Sequence, residues 1–218
     1  MRWVKHDITN KLLLMLFILI TIPIKTYALP IKRIGIVFDG SSDLNQRALS
    51  IYKKEIIAVT EGEFDVQFPT DKIIQADWTT ASVRSAIDRL LSDPGVDILI
   101  TLGIIGSTEV SKRRNLNKPV IAPWIIDREL LGLPINEKGA SGIRNLYYLE
   151  RPITLSRDIQ VFREILPFNR LALLYMPIVT ELAPDVEDVV QSIAEVRGIS
   201  IVTIPASTSI QNTLAAIP

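Results

Sequence analysis

The chain has 218 residues with 24 Lys and Arg against 24 Asp and Glu, one His and no Cys. The balanced charge argues against a nucleic-acid or anionic-membrane surface, which needs a clustered positive field. Without Cys, and with its single His at position 6, the chain excludes Cys–His and Ser–His–Asp catalysis, ordinary zinc sites and disulfides.

The first residues read as an export signal. Arg2, Lys5 and Lys11 precede an uncharged run from Leu12 to Ile24. That run is shorter than the roughly 20 residues needed to span a bilayer but has the length of a signal-peptide core. Small residues at Thr26 and Ala28 place cleavage after Ala28, with an uncleaved anchor as the alternative. No Cys follows to carry a lipid. Removal of residues 1–28 leaves 20 basic against 23 acidic side chains. The expected compartment is the periplasm.

The remainder alternates short apolar runs with amphipathic stretches. Arg33–Phe38 reads as a strand ending at the turn formers Asp39, Gly40, Ser41 and Ser42. A helix follows from Asp43 to Thr60, with an apolar stripe of Leu44, Ala48, Ile51, Tyr52, Ile56 and Val59. Phe64–Phe68 is a second strand. Thr79 or Thr80 caps a helix whose inward residues are Val83, Ile87, Leu90 and Leu91, and it stops at Asp93-Pro94-Gly95. Val96–Leu102 is apolar enough to be a strand buried on both faces. Gly103 to Gly106 turns the chain, Ser107 starts a short helix ending near Arg114, and Pro119–Ala122 is a fourth strand.

A Gly- and Pro-rich passage from Pro123 to about Arg151 holds one short strand near Ile143–Tyr147. A second α/β series begins with a helix over Leu155–Leu166, in which Ile159, Phe162, Ile165 and Leu166 face inward. Then come a strand at Arg170–Tyr175, a helix at Pro184–Arg197 stopped by Gly198, a strand at Ile199–Ile204 and a helix starting at Ser207. The domains expected are 1–28 signal, 29–145 lobe one and 146–218 a partial lobe two.

Strands alternating with helices imply a parallel sheet with right-handed crossovers. The order expected for the first four strands is 2-1-3-4. Ligands bind such sheets beyond the carboxyl ends of the strands, where the order reverses. The loops at Asp39–Ser42, Gly103–Ser107 and Pro123–Arg128 are therefore the candidates. At Gly106, Ser107 and Thr108 the helix start could hold a ligand carboxylate on its backbone N–H groups. Ser107 could instead cap its own helix, and the two roles can coexist. Trp124 follows the fourth strand and could stack on a ligand, and Tyr175 could reach the cleft from the other lobe; either could be edge packing. Asp127 and Arg128 could pair with a zwitterion or with each other. No phosphate-binding loop occurs, and Gly103-Ile104-Ile105-Gly106 lacks the third glycine of a dinucleotide fingerprint. No cofactor and no metal are expected.

The segments DILITLG, GSTEVSKRRNLNKPVIAP, SGIRNL and FREILPFNRLALLYMP, followed by GISIVTIPA and TSIQNTLAAI, resemble the ABC-transporter substrate-binding family, which includes tryptophan- and tyrosine-binding receptors. The resemblance covers nearly all of residues 31–218. It implies a type I periplasmic-binding fold: an α/β parallel sheet flanked by helices, with the second lobe incomplete because relatives continue for about a hundred residues. It also implies a small, amino-acid-like solute bound without chemistry, an ABC permease as partner, and ligand groups at Asp39–Ser42, Gly103–Thr108 and Trp124. A solute sensor or envelope accessory protein of the same fold is the alternative. A two-lobed racemase is the third reading, but its chemistry uses paired cysteines, which this chain lacks.

Overall fold

The computed structural model describes residues 28–128, 130–137, 139, 141–149, 154–206 and 210–215. The expected signal core lies outside the described residues, as does the expected helix start at Ser207. None of the described helices is long and apolar enough to cross a membrane.

Ile31–Phe38 (β1) is the centre of the first sheet. It pairs in parallel with Asp65–Gln67 (β2) and Ile73–Gln75 (β3) on one side and with Ile98–Leu102 (β4) on the other. Val120–Ala122 (β5) and Leu146–Tyr148 (β6) continue the sheet, also in parallel. The expected order is present, with two additions. β3 is an extra strand that the sequence reading does not contain, because Ile73-Ile74-Gln75 is too short to show a period. The strand expected in the interlobe passage is β6, the sixth strand of this sheet, which runs to Tyr148.

Alternation along the strands sorts the core into two layers. Ile34, Ile36 and Phe38 join Ile100 and Leu102 on one face. Val37 and Leu99 join the opposite face. Asp43–Val59 (α1) covers the first face, and Thr80–Ser92 (α2) with Ile104–Ser111 (α3) covers the second. In α2 the expected Val83, Ile87, Leu90 and Leu91 are all buried. Truncating a fully buried leucine such as Leu90 or Leu99 to Ala would cost about 2–5 kcal/mol. Gly35 lets this layer close: a Cβ there would lie 3.0 Å from Val96 Cγ1 and 3.2 Å from Leu90 Cδ1.

The α1 stripe needs correction. Leu49, Tyr52 and Ile56 pack on the sheet, but Leu44, Ile51 and Val59 are exposed and no α1 residue is fully buried. The start of α3 also differs from expectation: it lies at Ile104, with Gly103 at the N-cap, three residues before Ser107.

The second sheet pairs Arg170–Tyr175 (β7) with Ser200–Pro205 (β8) in parallel over their full length. Leu155–Ile165 (α4) and Val186–Arg197 (α6) pack on it through Ile159, Val186, Val190 and Ala194. A short helix, Ile178–Leu182 (α5), stands between β7 and α6, where the sequence pattern predicts none. Ile210–Ala215 (α7) follows β8. Gly198 ends α6 at φ 61°, the left-handed cap expected. Of the residues expected to face inward on α4, only Ile159 is buried; Phe162, Ile165 and Leu166 are exposed.

Candidate functional site

The loops after β1, β4 and β5 meet at the carboxyl end of the first sheet, where β1 places Asp39. This carboxylate is 4% exposed. Its Oδ2 accepts from the Ile105 N–H and its Oδ1 from the Gly106 N–H, both at 2.8 Å. Asp39 therefore caps α3 from a distant strand, and its negative charge sits at the positive end of the helix. Burial pushes the carboxyl above its usual range, opposed by the N–H bonds of Gly106, Ile105 and Ile104. A buried carboxylate needs such partners.

This arrangement alters the sequence expectation for Gly103–Thr108. Backbone amides at the helix start do bind an anion, but the anion is the protein's own. Ser107 and Thr108 are fully buried. The Ser107 hydroxyl donates to the Thr101 carbonyl at 3.2 Å and accepts from the Trp124 N–H at 3.3 Å. It ties α3 to β4 and fixes the loop that carries Trp124. Thr108 Oγ1 has no hydrogen-bond partner among the described residues.

In the first loop, Ser42 accepts from the Asn45 N–H at 3.1 Å and caps α1, while Asn45 Nδ2 donates to the Gly40 carbonyl at 2.6 Å. Gly40 lies against Trp78, whose indole would stand 2.2 Å from an added Cβ. Trp78 follows β3, and its N–H donates to the Asp39 carbonyl at 2.7 Å. Its backbone is left-handed, φ 69°, an unusual conformation for a bulky residue. Sequence reasoning missed Trp78 because β3, the strand that brings it to the rim, was not legible.

A cavity of about 450 Å³ opens over this rim. Asp39, Ser42, Asn45, Trp78, Gly103 and Trp124 line it from the first sheet, and Met176, Ile178 and Val179 from the segment after β7. Both indoles are accessible, with Trp78 54% and Trp124 43% exposed. Of the sequence-predicted residues, Asp39, Ser42, Gly103 and Trp124 reach the cavity. Gly40, Ser41, Gly106, Ser107 and Thr108 support it or lie beside it. Tyr175 faces another, smaller cavity with Asp127 and Asp158, and its hydroxyl donates to Glu187 at 3.2 Å; its neighbour Met176 is the one that lines the rim cavity. Asp127 accepts from the N–H groups of Leu130 and Leu155, at 3.0 and 2.9 Å, joining the loop after β5 to the start of α4.

Among the described residues no group of His, Asp or Glu is arranged to hold a metal.

No protein-family model and no curated protein matches the chain. Solved structures do. A domain from Streptococcus pneumonia described as an ABC domain in complex with L-Trp is 17% identical, with a TM-score of 0.55 over 80% of this chain and 57% of that one. A leucine binding protein from Thermotoga maritima is 10% identical, with a TM-score of 0.57 over 84% and 51%. A periplasmic binding protein from Burkholderia mallei is 11% identical, with a TM-score of 0.60 over 85% and 50%. The fold is that of these type I periplasmic binding proteins, as expected from the sequence. The chain spans about half the length of the structures it matches.

Proposed function

We propose that this chain is an extracytoplasmic substrate-binding protein, holding a small amino-acid-like solute at the rim of its first sheet and delivering it to an ABC permease. The observation that carries this reading is the cavity at the carboxyl ends of β1, β4 and β5. It is faced by two accessible indoles and lined on the far side by Met176, Ile178 and Val179. Its volume suits one small molecule, and its mostly apolar lining with a few polar groups is typical of solute sites. The solved relatives described as binding L-Trp or leucine support the same reading.

The first sheet, which includes Leu146–Tyr148, and the β7–β8 unit would act as lobes that close on the solute by a hinge motion. Residues 1–28 would direct export, with cleavage after Ala28. Asp39 and Gly103 shape the site floor, Trp78 and Trp124 contact the solute, and Ser107 holds the Trp124 loop. The role is binding without covalent chemistry.

Thermal denaturation of the purified protein against amino acids, their decarboxylated amines and purines tests the proposal. A ligand present at a hundred times its Kd adds about 2.7 kcal/mol of stability and raises the Tm. Trp78→Ala and Trp124→Ala should each reduce that rise. The proposal fails if no solute shifts the Tm, or if neither substitution changes the response.

A further inference from the structure

The rim cavity has an unusual charge inventory. Among the described residues that line it, Asp39 alone is charged; there is no Lys, Arg or His. The amides that would receive a ligand carboxylate, those of Ile105 and Gly106, already receive Asp39. The neighbouring Asn45 Nδ2 gives one of its two N–H groups to the Gly40 carbonyl and is neutral. A ligand carboxylate entering here would meet a like charge in a poorly solvated site, with no cation to offset it. An ammonium group would meet the reverse. The N–H groups of Ile104, Ile105 and Gly106 take at most three of the roughly four acceptor positions of the Asp39 carboxylate, which leaves room for one more donor. The indole faces of Trp78 and Trp124 attract cations and stack on rings.

We infer that the solute is a ring-bearing amine, held by its cation at Asp39 and by its ring between the two indoles, and not an amino acid held through its carboxylate. This rests on the reading of the cavity as a solute site and adds the chemical class. The volume, about 450 Å³, accommodates one such molecule. Asp39 thereby serves two ends: it caps α3 and presents negative charge to the ligand.

Calorimetric titration of the purified protein at pH 7 with 2-phenylethylamine, 3-phenylpropionate and L-phenylalanine tests the inference. These probes share one ring and differ in charge. The amine is expected to bind at least tenfold more tightly than the acid, with the zwitterion weaker than the amine. Asp39→Asn should narrow the gap between amine and acid several-fold. Should that variant fail to fold, the ranking of the three probes on the unaltered protein still decides. Equal or tighter binding of 3-phenylpropionate or L-phenylalanine would overturn the charge assignment and leave the solute cavity standing. No binding by any of the three would overturn both.

Discussion

The Asp39 carboxylate lies so close to Gly103 that a Cβ on Gly103 would fall 2.2 Å from Asp39 Cγ. Atoms cannot share that space, so Gly103→Ala must displace either the carboxylate or the first turn of α3. Displacing Asp39 strands the Ile105 and Gly106 N–H groups and leaves a buried charge without partners. The expected loss is about 2–4 kcal/mol, read as a lower urea midpoint at unchanged slope. A variant as stable as the parent would show that the cap is dispensable.

The same carboxylate sets a pH dependence. Burial raises its folded-state pKa above that of the unfolded chain. The native state then binds the proton more tightly, so the contribution of Asp39 to stability is largest at low pH. It is lost as pH rises from the unfolded value of about 3.9 through the folded one, and is constant above. Asp39→Asn lacks this titration. The stability of the parent minus that of the variant should therefore be larger at pH 4 than at pH 7 in urea denaturation. Taking the difference cancels the other carboxylates, among them Asp71, Asp77 and Asp93, which hydrogen bonds hold below the usual range. A difference that grows toward pH 7 would contradict the assignment.

Ser107 and Thr108 are adjacent, equally buried hydroxyls with opposite expectations. Ser107 bonds the Thr101 carbonyl and the Trp124 N–H. Ser107→Ala should cost about 1–3 kcal/mol and loosen the Trp124 loop, visible as altered indole fluorescence. Thr108 Oγ1 is without a partner among the described residues. Thr108→Val removes an unpaid desolvation and should be neutral or stabilising by up to about 1 kcal/mol. Equal losses for both would mean that the hydroxyls share one network.

How much of this was legible in the sequence depends on what each residue faces. The α2 stripe is readable because Val83, Ile87, Leu90 and Leu91 all meet one wall of the sheet. The α1 and α4 stripes mislead because apolar residues there outnumber the surface available to cover them. The loop at Asp39 was identifiable from its place after a strand. Its role was not, since the pairing with Ile105 and Gly106 spans 66 and 67 positions of sequence. No local pattern records such a contact. Trp78 has the same history: it reaches the rim only because β3 pairs with β1.

The apolar surface left by α4 and α6 carries its own prediction. Ile165 is 76% and Val196 80% exposed, with Phe162 and Leu166 nearby on α4. Arg163 and Arg197 brace the two helices through the Arg197 carbonyl, at 2.5 Å, and the Ser156 hydroxyl, at 2.6 Å. Large apolar side chains this exposed promote association. Ile165→Glu with Val196→Lys should lower the weight-average mass in concentrated solution by sedimentation. Stability should change by less than about 0.5 kcal/mol for each substitution, as both side chains are already solvated. An unchanged mass would place any self-association elsewhere.

Trp78 sets stability against binding. Its left-handed backbone, φ 69°, costs a bulky L-residue about 1–2 kcal/mol, a cost glycine avoids. Glycine in turn loses about 0.5–1 kcal/mol through the greater freedom of the unfolded chain. The indole is more than half exposed, so removing it sacrifices little core packing. These terms nearly cancel, and Trp78→Gly should unfold within about 1 kcal/mol of the parent, on the stable side if either. The backbone N–H bond to the Asp39 carbonyl survives the substitution, so the Asp39 loop keeps its anchor. Solute binding, by contrast, loses one aromatic wall and should weaken about tenfold, equivalent to about 1.4 kcal/mol. A bulky residue held in a conformation that favours glycine, at no benefit to the fold, points to a role outside the fold. If Trp78→Gly binds solute as tightly as the parent, the indole has no part in the site, and its backbone strain must be explained by packing on Gly40 alone.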